Sequence, residues 1–298
     1  MFSSDRIRES VLMGCGKGEK PPDFKKSEPA VGKVENRSQL APILDWQFGP
    51  DKWIDLTGQP TEELKMAAGI YIAGTDTDVG KTAVAMAVLR QLVTAGNDCR
   101  AYKPVASGVL PGHSDPEQLW QAAGCPGLLA EVCPQVFQAA IAPEQAARAE
   151  GRRVDERLLR QGIVPHLASD LIVVEGAGGL FSPLGPGILN ADLAHDFGLP
   201  VVVVDAARLG LIGRTLATVT AARAVGLTVA AIVISETAAV AATEPPDRPD
   251  SPAAIVAASL ADLRRRLPEL PIGWLGHRAD QIEPAINWGS LAAPLRQR

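Results

Sequence analysis

The sequence predicts a doubly wound α/β domain on a mainly parallel sheet, and three observations carry that reading. Short runs rich in valine and isoleucine recur without polar alternation, as strands covered on both faces do. Longer amphipathic stretches separate them, so helices alternate with strands as in parallel βαβ units. Glycine-containing turns and isolated charged residues stand where several runs end, the edge at which such sheets collect ligands.

The elements follow in chain order. Residues 1–66 differ from the rest: Lys, Glu, Pro, Ser and Gly dominate Gly14 to Asn36, and only Ile43 to Leu56, with Trp46 and Trp53, offers anything to pack. That composition predicts a flexible extension, disordered or loosely docked, ahead of a domain over 67–298. Met66 directly precedes the first strand, which raises the possibility of a functional start there. The apolar run Gly69-Ile70-Tyr71-Ile72-Ala73 marks a strand over 69–74, and a loop closing on Gly80-Lys81-Thr82 opens a helix over about 81–96. A strand at 98–103 ends in Lys103, and His113-Ser114-Asp115 leads into a helix at about 116–124. Helical patterns at about 144–150 and 153–168 precede Leu171-Ile172-Val173-Val174-Glu175, a strand over 171–175 that runs into a glycine-rich turn. A helix at 190–197, a strand at 200–205, a helix at about 212–226 and a strand at 228–234 follow. The segment Glu236 to Pro252 reads as a loop, before a helix at about 252–267 and a strand at 271–275.

Composition narrows the function. The 298 residues, 46% hydrophobic and 21% charged, suffice for a large core. A net charge of -5 with no basic stripe argues against a nucleic-acid partner. The apolar runs are far shorter than the roughly 18 residues of a membrane span, and no apolar stretch follows Arg6 and Arg8 as in a secretory signal. Cys15, Cys99, Cys125 and Cys133 show neither disulfide nor zinc spacing, which is compatible with the expected cytoplasmic location. The four histidines lack a ligating pattern, and no nucleophile elbow is present.

The chemistry concentrates in four clusters. Residues 74–82, Gly-Thr-Asp-Thr-Asp-Val-Gly-Lys-Thr, sit between a strand and a helix, the arrangement that wraps phosphates in backbone N–H groups. Thr75 stands where the usual P-loop has its first glycine, but the Gly-Lys-Thr end is intact. Lys81 would meet the outer phosphates and Thr82 would complete a magnesium shell. The second cluster, Lys103 to Gly108 with Asp115, lies at the same sheet edge. In the third, Glu175 ends a buried strand, and in a phosphate-binding fold its simplest partner is magnesium. The fourth, Asp205 to Gly210, opens a helix at Leu211 whose N–H groups could hold a substrate carboxylate.

Together, residues 74–82, Tyr102 to Gly108, Glu175 to Leu184 and Arg208-Leu209-Gly210 resemble the dethiobiotin synthase family over about 68–290. The resemblance implies a P-loop NTPase fold and an ATP- and magnesium-dependent carbon–nitrogen ligase. In that reaction 7,8-diaminopelargonate takes up CO2 as a carbamate, ATP phosphorylates it, and the neighbouring amine closes a cyclic urea. It further implies catalytic roles for Thr77, Lys81 and Lys103. Nucleotide and magnesium would be bound by Asp78, Val79, Gly80, Lys81, Thr82, Asp115, Glu175, Gly178, Gly179 and Ser235, with Thr82, Asp115 and Glu175 as the metal ligands. Thr77, Ser107, Leu209 and Gly210 would bind the substrate in a homodimer, the partner's turn holding the substrate carboxylate. Asp78 stands where glutamate is common, Ser235-Glu236 where an asparagine-aspartate pair is expected, Gly213 in place of an asparagine, and Ala142-Pro143-Glu144 lacks a frequent histidine.

Two alternatives share the loop. Amide-forming ATPases of the cobyrinate-synthase type usually add a glutaminase domain, for which no room remains. Partitioning and septum-positioning ATPases carry a signature lysine where this chain has Asp76, and their membrane-bound members a basic amphipathic tail that Ala292 to Arg298 is too short to form.

Overall fold

The computed structural model describes residues 67–109, 114–238 and 252–295. The expected extension over 1–66, His113 and positions 239–251 of the Glu236 to Pro252 segment lie outside the described residues.

The chain alternates as its apolar runs predict. β1 (Ala68–Gly74), α1 (Lys81–Thr94) and β2 (Cys99–Tyr102) come first. α2 (Asp115–Ala122), α3 (Leu129–Val132), α4 (Pro143–Ala149) and α5 (Glu156–Gln161) follow. Then come β3 (Leu171–Gly179), β4 (Pro183–Gly185), β5 (Ile188–Leu189), α6 (Asn190–Phe197), β6 (Val201–Ala206) and α7 (Leu211–Ala224). β7 (Val229–Ser235), α8 (Pro252–Arg266), β8 (Ile272–Leu275), α9 (Trp288–Leu291) and β9 (Ala293–Pro294) end the series.

The main sheet runs β2-β3-β1-β6-β7-β8, and every neighbouring pair along it is parallel. β1 is central, with the connections leaving it first toward β2 and later toward β6. The order therefore reverses beside β1, and the crevice at the carboxyl ends of β1, β3 and β6 is where this topology binds ligands. The short β9 joins β1 antiparallel, pairing Gly69 with Ala293. The β1–β6 ladder starts only at Tyr71, so the first residues of β1 have edge hydrogen bonds to offer.

Alternate side chains of each strand enter opposite cores. Tyr71, Ala73, Ile172, Val174, Val201 and Val203 pack into one, and Ile70, Ile72, Val173, Val202 and Val204 into the other. Each fully buried aliphatic side chain contributes about 1.5–3 kcal/mol. Two-sided burial is why these strands read as unbroken apolar runs.

Three local expectations are corrected. The helical pattern at 153–168 divides into α5 and a 3-10 turn over Val164–His166, because Gly162 ends the helix and Pro165 lacks the N–H needed to continue it. β3 runs on to Gly179, resuming its ladder with β1 after an irregularity that lets Gly179 pair with Gly74. The β4–β5 hairpin, α3, α9 and β9 were absent from the expected elements, since two to four residues carry no usable periodicity. None of the described helices is long and apolar enough to cross a membrane.

Candidate active site

The loop after β1 delivers α1 end-on to the crevice. Gly80 caps α1 at φ +89, and a β-carbon there would run into the Ser235 side chain. Only glycine meets both conditions. No side chain caps α1 and its first turn holds no acid, which leaves its N–H groups suited to an anion. Asp78 also has a left-handed backbone, φ +55, a conformation aspartate tolerates better than most residues.

Lys81 is buried and its ammonium donates to the Asp76 carbonyl at 3.0 Å. Burial pulls its pKa down, Glu175 opposes that, and Lys103 adds to the fall. The ammonium is thus held at the helix N-terminus short of a strong anionic partner, a deficit that phosphate oxygens would fill.

Beside it lies a buried ionic group built from three elements. β3 carries Glu175, 1% exposed, into the floor of the site. Its Oε1 accepts the Thr82 hydroxyl at 2.8 Å and the Lys103 ammonium at 2.6 Å. The same ammonium donates to Asp115 Oδ2 at 2.6 Å. Asp115 is presented by the first turn of α2, where Ser114 and Glu117 form a reciprocal capping box. Burial alone would lower the Lys103 pKa, but Glu175 and then Asp115 raise it well above the ordinary lysine value.

Glu175 Oε2 is buried without a hydrogen-bond partner. An orphaned carboxylate oxygen is costly, so something outside the described chain is expected to meet it. Among the described residues no group of three or more His, Cys, Asp or Glu side chains could hold a metal, which excludes a closed protein cage there. The Thr82 hydroxyl, the half-exposed Asp115 carboxylate and Glu175 Oε2 instead offer oxygen only. That set fits magnesium, which takes one or two carboxylates and completes its shell with water and phosphate.

The turn after Glu175 is fixed from below. Asn190, 1% exposed, donates to the carbonyls of Ala177 at 2.6 Å and Gly179 at 2.8 Å. Its Oδ1 accepts the Tyr71 hydroxyl at 2.9 Å and the Ala177 N–H at 3.2 Å. A β-carbon on Gly176 would strike the same amide.

These elements enclose a cleft of about 840 Å³. Of the residues expected from sequence, Thr77, Asp78, Gly80, Lys81, Thr82, Lys103, Ser107, Asp115, Glu175, Gly178 and Ser235 line it. Val79, Gly179, Leu209 and Gly210 do not: Val79 is packed in the core, and Leu209 is 80% exposed at the start of α7. Two more walls line the cleft, Ala140 to Pro143 and Leu275 to Ala279, together with Ser182, Glu236 and Thr237; Ala142-Pro143, Ser182 and Glu236 fall in segments the sequence singles out, whereas Ala140, Ile141, Thr237 and the second wall do not. The signal for the second wall was available, since β8 ends at Leu275 and ligands gather at carboxyl ends of strands. Glu236 Oε2 accepts the His277 N–H at 3.1 Å, joining the ends of β7 and β8 across that wall.

A family model described as an AAA domain matches residues 68–271. The ATP-dependent dethiobiotin synthetase BioD of Anaeromyxobacter sp. (strain K) is 42% identical over 225 residues, 75% of this chain and 96% of that protein. The enzymes of the same name from Rhodopirellula baltica and Caulobacter vibrioides (strain NA1000 / CB15N) are each 39% identical, over 57% and 56% of this chain and 73% and 79% of their own lengths. Among solved structures, the hydrogenase maturation factor HypB of Archaeoglobus fulgidus is similar at a TM-score of 0.43 and 14% identity, over 72% of this chain and 83% of that one.

Proposed function

The chain belongs to the ATP-dependent dethiobiotin synthetase family, a carbon–nitrogen ligase of biotin synthesis, and from that premise we propose how its own residues perform the reaction. One amine of 7,8-diaminopelargonate takes up CO2 to give a carbamate. A carbamate oxygen attacks the γ-phosphorus of ATP and ADP leaves. The second amine then attacks the carbamate carbon, its proton is lost, phosphate departs and the cyclic urea closes.

The observation that carries this reading is the convergence of Lys81, Lys103, Thr82 and the Glu175 carboxylate at one sheet edge. Phosphoryl transfer of this kind asks for alignment and charge neutralisation more than for a protein nucleophile. Lys81, at the N-terminus of α1, holds the outer phosphates. Lys103 meets the carbamate: Asp115, with its side chain 47% exposed, is the partner it can exchange for a substrate oxygen, whereas buried Glu175 keeps the ammonium desolvated and aimed. Thr77 and Ser107 face the diamine. Thr82, Asp115 and Glu175 would hold magnesium, which supplies neutralisation of phosphate charge when bound. Asp78, Val79, Gly80, Gly178, Gly179 and Ser235 shape the nucleotide side, Val79 and Gly179 through backbone alone.

Leu209 and Gly210 do not line the cleft of their own chain, and we assign them to the substrate carboxylate in the other subunit of a homodimer. The exposure of Leu209 and Phe181 supports that assignment. The division into an extension over 1–66 and a synthase domain over 67–298 is supported by a family match that begins at residue 68. A cytoplasmic location accords with the free thiols Cys99, Cys125 and Cys133. Nucleic acid and membrane form no part of this reading.

The test is ADP release from magnesium-ATP, with and without 7,8-diaminopelargonate and bicarbonate, followed alongside dethiobiotin by mass. Release that needs both substrates and matches product is expected. ATP turnover indifferent to the diamine would overturn the reading.

A further inference from the structure

Asp205, the penultimate residue of β6, is fully buried and gathers donors from three parts of the chain. Its Oδ1 accepts the Thr75 hydroxyl at 2.8 Å, the Arg214 Nε–H at 3.1 Å and the Ala206 N–H at 2.8 Å. Its Oδ2 accepts the Thr215 hydroxyl at 3.0 Å. A carboxylate removed from water persists only when paired and hydrogen-bonded, and here every one of those donors sits beside a functional segment. Thr75 opens the phosphate loop, and its N–H is held by the Val204 carbonyl at 2.9 Å. Arg214 wraps the turn before α7, donating also to the carbonyls of Leu209 at 3.1 Å and Ala206 at 3.3 Å. A second link between the same segments, Arg208 to Asp76 at 3.8 Å, is 57% exposed at both ends. Solvent screens such a pair, so it adds little.

We propose that Asp205 is a positioning residue: its buried carboxylate, through Thr75 and Arg214, locks the Arg208–Gly210 turn to the phosphate loop and thereby sets the affinity for the carboxylate end of the substrate. This rests on the assignment of that turn to the substrate carboxylate. The flanking backbone is tied by the Ala207 N–H to the Ser235 carbonyl at 2.8 Å and the Leu211 N–H to the Arg208 carbonyl at 3.1 Å, but neither bond reaches the phosphate loop, whereas the Asp205 carboxylate does. Gly210 stands at φ +88 at the N-terminus of α7, where neither a side-chain cap nor a first-turn acid holds it. Residue 205 joins two segments that a substrate spanning the site must find at a fixed distance, and a loosened turn weakens binding without touching the reacting atoms.

Asp205→Asn keeps an oxygen for Thr75 and Arg214, removes the charge, and replaces the acceptor for the Thr215 hydroxyl with an NH2 that donates to it. With cooperative thermal unfolding retained, the KM for 7,8-diaminopelargonate rises about tenfold while kcat and the KM for ATP change by less than about threefold, the signature of lost ground-state binding. Arg214→Gln reads the same link from its other end and gives the same split, which keeps the test decisive if Asp205→Asn fails to fold. Leu209→Pro deletes an N–H of the turn itself. If it leaves the diamine KM unchanged, the assignment of the turn fails and the proposal falls with it. If Leu209→Pro raises that KM but Asp205→Asn and Arg214→Gln stay within about twofold of the parent protein, the role of Asp205 alone is overturned.

Discussion

The Lys103 ammonium and the Glu175 carboxylate meet at 2.6 Å with side-chain exposures of 6% and 1%, the most deeply buried ion pair among the described residues. Lys103 follows directly on β2 and Glu175 lies in β3, its parallel neighbour, so the sheet places them side by side and the desolvated surroundings make their contact strong.

Breaking that pair destabilises the fold. Lys103→Met leaves the buried Glu175 carboxylate without its cation and costs about 3–5 kcal/mol, read as a fall in the urea midpoint, whereas Glu175→Gln leaves Lys103 its contact with Asp115 and costs less. The double substitution costs less than the sum, since neither charge is then stranded. The Lys103 pKa is raised above its unfolded value, so this stabilisation is fully present below about pH 10.4 and is lost as pH rises through the raised pKa. A urea midpoint that falls between pH 7 and 9 because of this pair would contradict the assignment.

Lys81 behaves oppositely. Burial lowers its pKa in the folded protein, so between that value and the ordinary value of about 10.4 the unfolded chain binds more protons, and this residue's contribution to stability rises with pH. Phosphates restore the charged form. Nucleotide binding therefore takes up a proton in that window, and affinity for ADP falls as pH rises through the lowered pKa. Calorimetry in two buffers of different ionisation enthalpy detects the uptake, and Lys81→Arg abolishes it. Lys81→Ala reduces kcat by on the order of 10³-fold or more, by analogy with other phosphate-neutralising cations, without loss of cooperative unfolding.

Asp78→Glu preserves the left-handed backbone at modest cost and is expected to leave kcat/KM within about threefold of the parent protein, or to improve it. Asp78→Val places a β-branched residue at φ +55 and costs about 1–2 kcal/mol in stability or loop order. Equal activity of the two variants in the ADP-release assay would show that the loop relaxes out of this conformation.

Asn190→Leu strands the Tyr71 hydroxyl and the carbonyls of Ala177 and Gly179 in the core. Each unsatisfied group costs about 1–3 kcal/mol, so the variant unfolds at distinctly lower urea. Magnesium dependence of residual turnover also shifts, because the turn that follows Glu175 loses its support. An unchanged urea midpoint would mean that water replaces the amide.

The sequence exposed the part of the site that local pattern encodes. Gly80-Lys81-Thr82 between an apolar strand and a helix, and single charges at the ends of strands 98–103 and 171–175, sufficed to place Lys81, Thr82, Lys103 and Glu175 at one edge. The Asn190 amide beneath the glycine turn and the Thr75–Asp205–Arg214 link were not legible. Each is made by groups far apart in the chain, and no periodicity or spacing records which buried polar atoms will meet.

What the sequence by itself determined was therefore the alternation of strands and helices, the doubly wound sheet and the phosphate loop. Apolar period and glycine geometry act over a few residues and leave their mark there. Tertiary structure alone decided that Lys103 is shared between Asp115 and Glu175, that Glu175 keeps an unpaired oxygen, and that Leu209 and Gly210 lie off the cleft of their own chain. Those outcomes depend on strand order and on which charges the sheet brings together out of water, and that is fixed only when the crossovers close.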